Sequence, residues 1–254
     1  MIELRRLDNV VVLSLNAGKA NALDPALLEA LTETLDTLSS DWPGALVITG
    51  EGPIFSGGLA LPVLIDYDRA AMKSLMTTFS HAMRSVLELP IPTVAAINGN
   101  AIAGGCVLAL MCDERVMIAQ GPKGPPRIGL NEAQLGLGLP SVVLEVLRHR
   151  VPPTSLTKLA LAGALVEPVE AEALGLVDEV VSPDAFQAHA LERAANLATA
   201  APLAYAQIKE ALLRPVVQAI EARWAGDADA WLDTWFSDEG QRRLRAALAR
   251  ITKT

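Results

Sequence analysis

The chain has 254 residues, 51% of them apolar, enough to bury a sizeable core as one large domain or two smaller ones. A formal net charge of −8, with no basic block beyond pairs such as Arg242-Arg243, excludes the electrostatic footprint of a nucleic-acid partner. Two cysteines exclude a disulfide scaffold, and the longest apolar run, Ala101 to Cys112, falls well short of the roughly 20 residues a membrane helix needs.

The amino terminus reaches charge at Glu3 and forms no signal-like apolar stretch, so a cytoplasmic protein with no membrane partner is expected. Ile2 to Leu15 alternates and is β-branched, with Asp8-Asn9 as a turn, which predicts two paired strands. Asp24-Pro25 opens a helix whose Leu27, Leu28, Leu31, Leu35 and Leu38 recur at helical spacing. Ala45 to Thr49 reads as a buried strand closed by Gly50-Glu51-Gly52-Pro53.

Thr93 to Ile97 repeats that pattern, followed by Asn98-Gly99, a helix from about Gly104 to Met111 and a strand from Arg115 to Ala119. The alternation predicts an α/β chain with a mainly parallel sheet, whose functional residues lie just after Thr49, Ile97 and Ala119. From Pro202 onward three helical stretches are expected, Tyr205 to Leu213, Val216 to Leu232 and Asp238 to Ile251. Trp224, Trp231, Trp235 and Phe236 cluster there, which suggests a tail that packs on a neighbouring subunit, a tail that covers its own core being the other reading.

Three segments carry chemistry. In Ile54-Phe55-Ser56-Gly57-Gly58-Leu59-Ala60, paired glycines let backbone N–H groups approach a ligand, although a plain tight turn has the same composition. Ala103-Gly104-Gly105 begins a small-residue helix, and a helix start attracts developing negative charge; close helix packing explains the same glycines. Neither segment has the Lys-Ser/Thr pair of a phosphate loop or the three-glycine spacing of a dinucleotide fingerprint. In Arg127 to Pro140, Glu132 stands among apolar residues, where desolvation raises a carboxyl pKa toward the range useful for proton transfer. His81, His149 and His189 are scattered outside these segments and read as surface or structural, giving neither a triad nor a metal site. Cys106 and Cys112 read as core packing.

In order along the chain, Phe-Ser-Gly-Gly-Leu, Ala-Gly-Gly-Cys, Ile-Gly-Leu-Asn-Glu-Ala-Gln-Leu-Gly and Gly175 to Val181 resemble the enoyl-CoA hydratase/isomerase, or crotonase, family. The resemblance implies a crotonase-like spiral of ββα units over residues 1–198. It further implies a helical region over residues 199–254 that closes the pocket and mediates homotrimers or hexamers. The implied ligand is an acyl-CoA thioester, with coenzyme A as part of the substrate and no tightly bound cofactor. By motif position, Gly57 and Gly104 would donate N–H groups to the thioester oxygen. Ala20 and Ala22, in the loop from Gly18 to Leu23, would cradle the adenine. Ser56, Gly58, Gly105 and Lys209 would contact the coenzyme, Lys209 near its phosphates.

Members of this family that add water look to carry two glutamates, one directly after the Gly-Gly-Cys unit and one in the third segment. Here the first position is Val107 and the second Glu132. One carboxylate suits a proton shuttle, and the strings look most like the Δ3,Δ2-enoyl-CoA isomerase branch. Ala60 departs from the Asp that many relatives carry. Hydration or thioester hydrolysis by Glu132 alone, and an inactive acyl-CoA-binding protein, are the other readings.

Overall fold

The computed structural model describes residues 1–251. It opens with a hairpin, β1 (Ile2–Leu7) and β2 (Val10–Leu15), then α1 (Pro25–Leu38), β3 (Ala45–Gly50), β4 (Ile54–Ser56), α2 (Leu61–Leu64) and α3 (Arg69–Leu87). It continues with β5 (Thr93–Ile97), β6 (Asn100–Ile102), α4 (Gly104–Met111), β7 (Glu114–Ile118), β8 (Ile128–Gly129) and α5 (Ser141–Arg150). The remainder is α6 (Pro168–Ala173), β9 (Glu179–Val181), α7 (Pro183–Leu197), α8 (Pro202–Trp235) and α9 (Asp238–Ile251).

Helix α1 starts where its sequence says it should. Pro25 takes the first turn, where its missing N–H is harmless, and the Asp24 carboxylate accepts from the Leu27 amide at 2.8 Å. All five of its leucines are buried. Asp68 caps α3 in the same way through the Ala71 amide.

The main sheet runs β1-β2-β3-β5-β7-β9, antiparallel only between β1 and β2. Alternate residues of each strand point to opposite faces. Val11, Leu13, Leu46, Ile48, Ala95 and Met117 join the larger core, while Val10, Val12, Val47, Val94 and Val116 pack under Phe186 and Ala190 of α7. A sheet covered on both sides explains why its strands read as continuous apolar runs.

A second, parallel sheet of three strands, β4-β6-β8, stands beside the first. Two buried or half-buried asparagines hold the chain as it passes between the sheets. Asn98 donates to the carbonyls of Gly50 and Gly52 at 2.8 Å, and Asn21, at φ 44°, donates to those of Glu51 and Ile54 at 3.1 and 2.8 Å. The turns read at Gly50-Pro53 and Asn98-Gly99 each lead into a strand of the smaller sheet, β4 or β6, so the functional loops lie one strand later than expected.

The tail differs from expectation in two ways. The stretches around Tyr205 and Val216 are one helix, α8, with Pro215 inside it. Proline removes one helical hydrogen bond, but Leu213, Val216 and Ile220 on either side are all buried, so packing carries the helix through. Trp231 and Trp235 are spent on this chain's own core, 4% and 1% exposed, their rings 5.3 Å apart; they are not held out for a neighbour. Among the described residues no helix is long and apolar enough to cross a membrane.

Candidate active site

Each strand of the small sheet ends in a loop that enters one pocket. After β4 comes Leu59, after β6 come Ala103 and Gly104, and after β8 come Asn131 and Glu132. The loops touch through glycine. Gly58 has φ +83°, and a Cβ there would lie 2.7 Å from the Ile102 carbonyl oxygen; a Cβ on Gly105 would lie 2.2 Å from that of Ser56.

The backbone around Leu59 is fixed by a parallel bridge to Leu23. The Leu23 amide donates to the Gly58 carbonyl at 2.8 Å, and the Ala60 amide to the Leu23 carbonyl at 3.1 Å. With its neighbours turned toward Leu23, the Leu59 N–H faces the other way. There it meets the start of α4, since a Cβ on Gly104 would lie 3.5 Å from the Leu59 nitrogen. Gly104 is the first residue of α4, so its N–H has no partner within the helix. Among the described residues no acceptor is bonded to either amide. Two free donors converging at the positive end of a helix make a site for an oxyanion.

Ala103, immediately before, has φ 50° and ψ −119°, a conformation that L residues rarely adopt. Its amide donates to the Gly129 carbonyl at 2.8 Å, and its carbonyl accepts from Val107 at 3.0 Å. Those bonds hold the strained turn that aims Gly104 into the pocket.

This geometry revises what is expected of five residues. The Gly57 amide already donates to the Ala20 carbonyl at 2.8 Å, so it cannot also serve the oxyanion; the free amide on that loop is Leu59. The Ser56 hydroxyl is fully buried, donating to the Asn21 carbonyl at 2.7 Å and accepting from the Gly58 amide at 3.2 Å, which leaves neither residue a group for coenzyme. Gly105 is a packing residue pressed on Ser56. Lys209 is buried, with its ammonium 2.8 Å from Asp113 Oδ2 and 3.2 Å from the Ile91 carbonyl. Tyr205 and Thr93 share that carboxylate, so Lys209 ties α8 to the core and is no free cation. Ala20 packs beside Gly57, and Ala22 directly precedes Leu23; neither lines the acyl pocket.

Glu132 stands in a single helical turn after β8. The residue as a whole keeps partial exposure, but carboxylate Oε2 is buried without a hydrogen-bond partner. Burial disfavours the charged form and pushes its pKa from 4.5 up to about 7. The pocket encloses about 170 Å³, and its remaining wall is apolar, with Leu61, Met76, Phe79, Val107, Leu137 and Val143 among its residues. Trp231, Trp235 and Leu244 of the tail also line it.

Residues 5–247 match the family model for enoyl-CoA hydratase/isomerase. The chain belongs to that family. Among its relatives, the 2,3-dehydroadipyl-CoA hydratase of Escherichia coli is 32% identical, over 97% of this chain and 95% of its own length. The human mitochondrial enoyl-CoA delta isomerase 1 is 29% identical, over 95% and 80%. Among solved structures, human mitochondrial Δ3-Δ2-enoyl-CoA isomerase superposes with a TM-score of 0.92 at 25% identity, covering 99% of this chain and 98% of its own. The fold is the crotonase fold. Relatives thus include enzymes named for both reactions; in this chain Glu132 and the turns at Gly57 and Gly104 line one pocket.

Sequence reading alone missed several of the residues that build this site. Leu59 is apolar and offers only its backbone amide; Ala103 carries its signal in φ; Asn21 works by pinning a loop. Trp231 and Trp235 lie about a hundred residues of chain beyond Glu132 and reach the pocket only through the packing of α8 on α3 and α5.

Proposed function

We propose that the chain is an enoyl-CoA isomerase that moves a 3-enoyl-CoA double bond to the 2-position, with Glu132 as the single acid and base. The observation that carries this is the pocket wall: among the described residues Glu132 is its only ionisable side chain, and Val107 fills the position where a second glutamate would activate water. In this reading the thioester oxygen accepts from the Leu59 and Gly104 amides. The Glu132 carboxylate takes a proton from C2, the negative charge spreads over the dienolate and rests on the thioester oxygen, and the protonated Glu132 returns the proton to C4. No water enters and no atom is lost. A carboxyl near pKa 7 suits both halves, since each form is accessible at neutral pH.

Coenzyme A is then part of the substrate, held outside the acyl pocket, with Ala20 and Ala22 as its adenine contacts. The exposed Leu203, Ile208 and Leu212 of α8 support a homo-oligomer formed through the tail. Hydration is the second reading, favoured by the E. coli relative's name, with Glu132 alone activating water. Separate incubations with 3-hexenoyl-CoA and 2-hexenoyl-CoA test the two. The isomerase yields 2-enoyl product from the first and no 3-hydroxyacyl-CoA or free coenzyme A from the second. Hydroxyacyl product without isomerisation would favour hydration.

A further inference from the structure

The Glu132 side chain has little of its own to hold it. Carboxylate Oε2 is buried without a hydrogen-bond partner, and no neighbouring cation contributes to the raised pKa of the group. The carboxylate therefore goes where its backbone takes it. That backbone is a single four-residue turn, Glu132–Leu135, ended by Gly136 at φ +76°. What grips this turn from outside decides where the acid and base stands.

The grip comes through Gln134. Its side-chain amide donates to the Ala162 carbonyl at 2.6 Å, and its own backbone carbonyl, near the end of the turn where helical carbonyls lack partners, accepts from Arg243 Nη1 at 3.0 Å. Arg243 stands on tail helix α9, which lies close against the same segment: a Cβ on Gly136 would meet Gly240 Cα and Arg243 Cδ, each at 3.3 Å. Glu239, one helical turn earlier, accepts from Arg243 Nε and so aims the guanidinium. Neighbouring Arg242 pairs with the same Glu239 carboxylate and bonds nothing in the turn. One such hydrogen bond contributes modestly to stability, but a displacement of about 1 Å at a reacting group costs about a hundred-fold in rate. We propose that Arg243 is a positioning residue, which from the tail helix fixes the Glu132 turn and so sets how the carboxylate enters the acyl pocket. This rests on the reading of Glu132 as acid and base, and gives the tail helix a part in orienting it.

The test compares the wild type with Arg243→Met, Arg243→Lys and Arg242→Met. Methionine keeps a stem over Gly136 and loses the donor, lysine restores one donor, and the Arg242 variant removes an equal charge from the same helix without touching the turn. With 3-hexenoyl-CoA, Arg243→Met is expected to lower kcat by about ten- to a hundred-fold with KM within a few-fold. Arg243→Lys should recover most of that loss, and Arg242→Met should match the wild type. A second readout needs no turnover: the Glu132 carboxyl is titrated by carbon NMR, its signal assigned by its absence from Glu132→Gln. In Arg243→Met its pKa should fall from about 7 toward the ordinary 4.5, because a loosened turn lets water reach it. Loss of a positive charge alone would move it upward, so the direction separates placement from charge. An unchanged kcat in Arg243→Met, or an equal loss in Arg242→Met, overturns the inference and leaves the isomerase standing. A wild type that turns over no 3-enoyl-CoA removes the isomerase, and the titration then decides the inference: a lowered pKa in Arg243→Met sustains it and an unchanged one overturns it.

Discussion

The amide nitrogen of Leu59 and the first residue of α4, Gly104, face each other so closely that a single methyl on Gly104 would stand 3.5 Å from that nitrogen. Two strands of the small sheet bring them there, and only glycine leaves room between them for a ligand oxygen. The methyl of Gly104→Ala would meet Leu23 Cδ1 at 3.0 Å, a side-chain end that can yield, but would intrude where the oxygen must sit. Gly104→Ala is therefore expected to lower kcat/KM for 3-enoyl-CoA by about ten- to a thousand-fold with little change in Tm. Gly57→Ala meets only ordinary contacts at 3.5 Å, and its amide is already used, so it should keep activity within a few-fold. The reverse order of the two variants would return the oxyanion role to Gly57.

Glu132→Gln keeps the shape of the side chain and removes its basicity. Turnover should fall by about a hundred- to ten-thousand-fold while the Kd for a saturated acyl-CoA changes little. Comparable turnover in the variant would end the proton-shuttle reading.

The raised pKa of Glu132 sets two pH dependences of opposite sign. The base must be ionised in the free enzyme, so kcat/KM should rise with pH through about 7. Stability goes the other way. The folded state holds the proton to about pH 7 while the unfolded chain releases it near 4.5, so the native protein binds more protons between those values and its stability falls as pH rises across that window. The fall is at most about 3 kcal/mol, less to the extent that solvent reaches the partly exposed residue. Melting curves of wild type and Glu132→Gln should thus diverge in favour of the variant from pH 5 to pH 8. Parallel curves would show that burial does not govern this carboxyl.

Lys209→Met separates a structural cation from a coenzyme ligand. Asp113 would keep Thr93, Tyr205 and Arg150 but lose the ammonium at 2.8 Å, a cost of about 2–3 kcal/mol and so a Tm lowered by roughly 5–10 °C. Affinity for acyl-CoA should hold. A large loss of affinity at unchanged Tm would restore the phosphate role.

Much of the molecule was legible from residues alone. The five leucines of α1, the alternation that splits Val10–Leu15 between two cores, and the helix start at Gly104 are local patterns, set by side-chain period and capping chemistry. Glu132 was visible because a carboxylate in an apolar run is unusual. What escaped were the short strands β4, β6 and β8, two or three residues long and held by partners distant in sequence. Pro215 also misled, because a local helix breaker is overridden when both flanks are buried.

The residue order determined the family and placed Glu132 in its apolar segment and Val107 directly after Gly-Gly-Cys, since these depend on identity and spacing. The folded chain decided which amides are free. Gly57 and Leu59 are near neighbours in one loop, yet only the second is available, because Ala20 happens to bond the first. Whether an N–H is spent or idle depends on what crosses it in space, which no local pattern records. The same holds for the two tryptophans lining the pocket, placed there by a helix whose packing face is settled across the whole core.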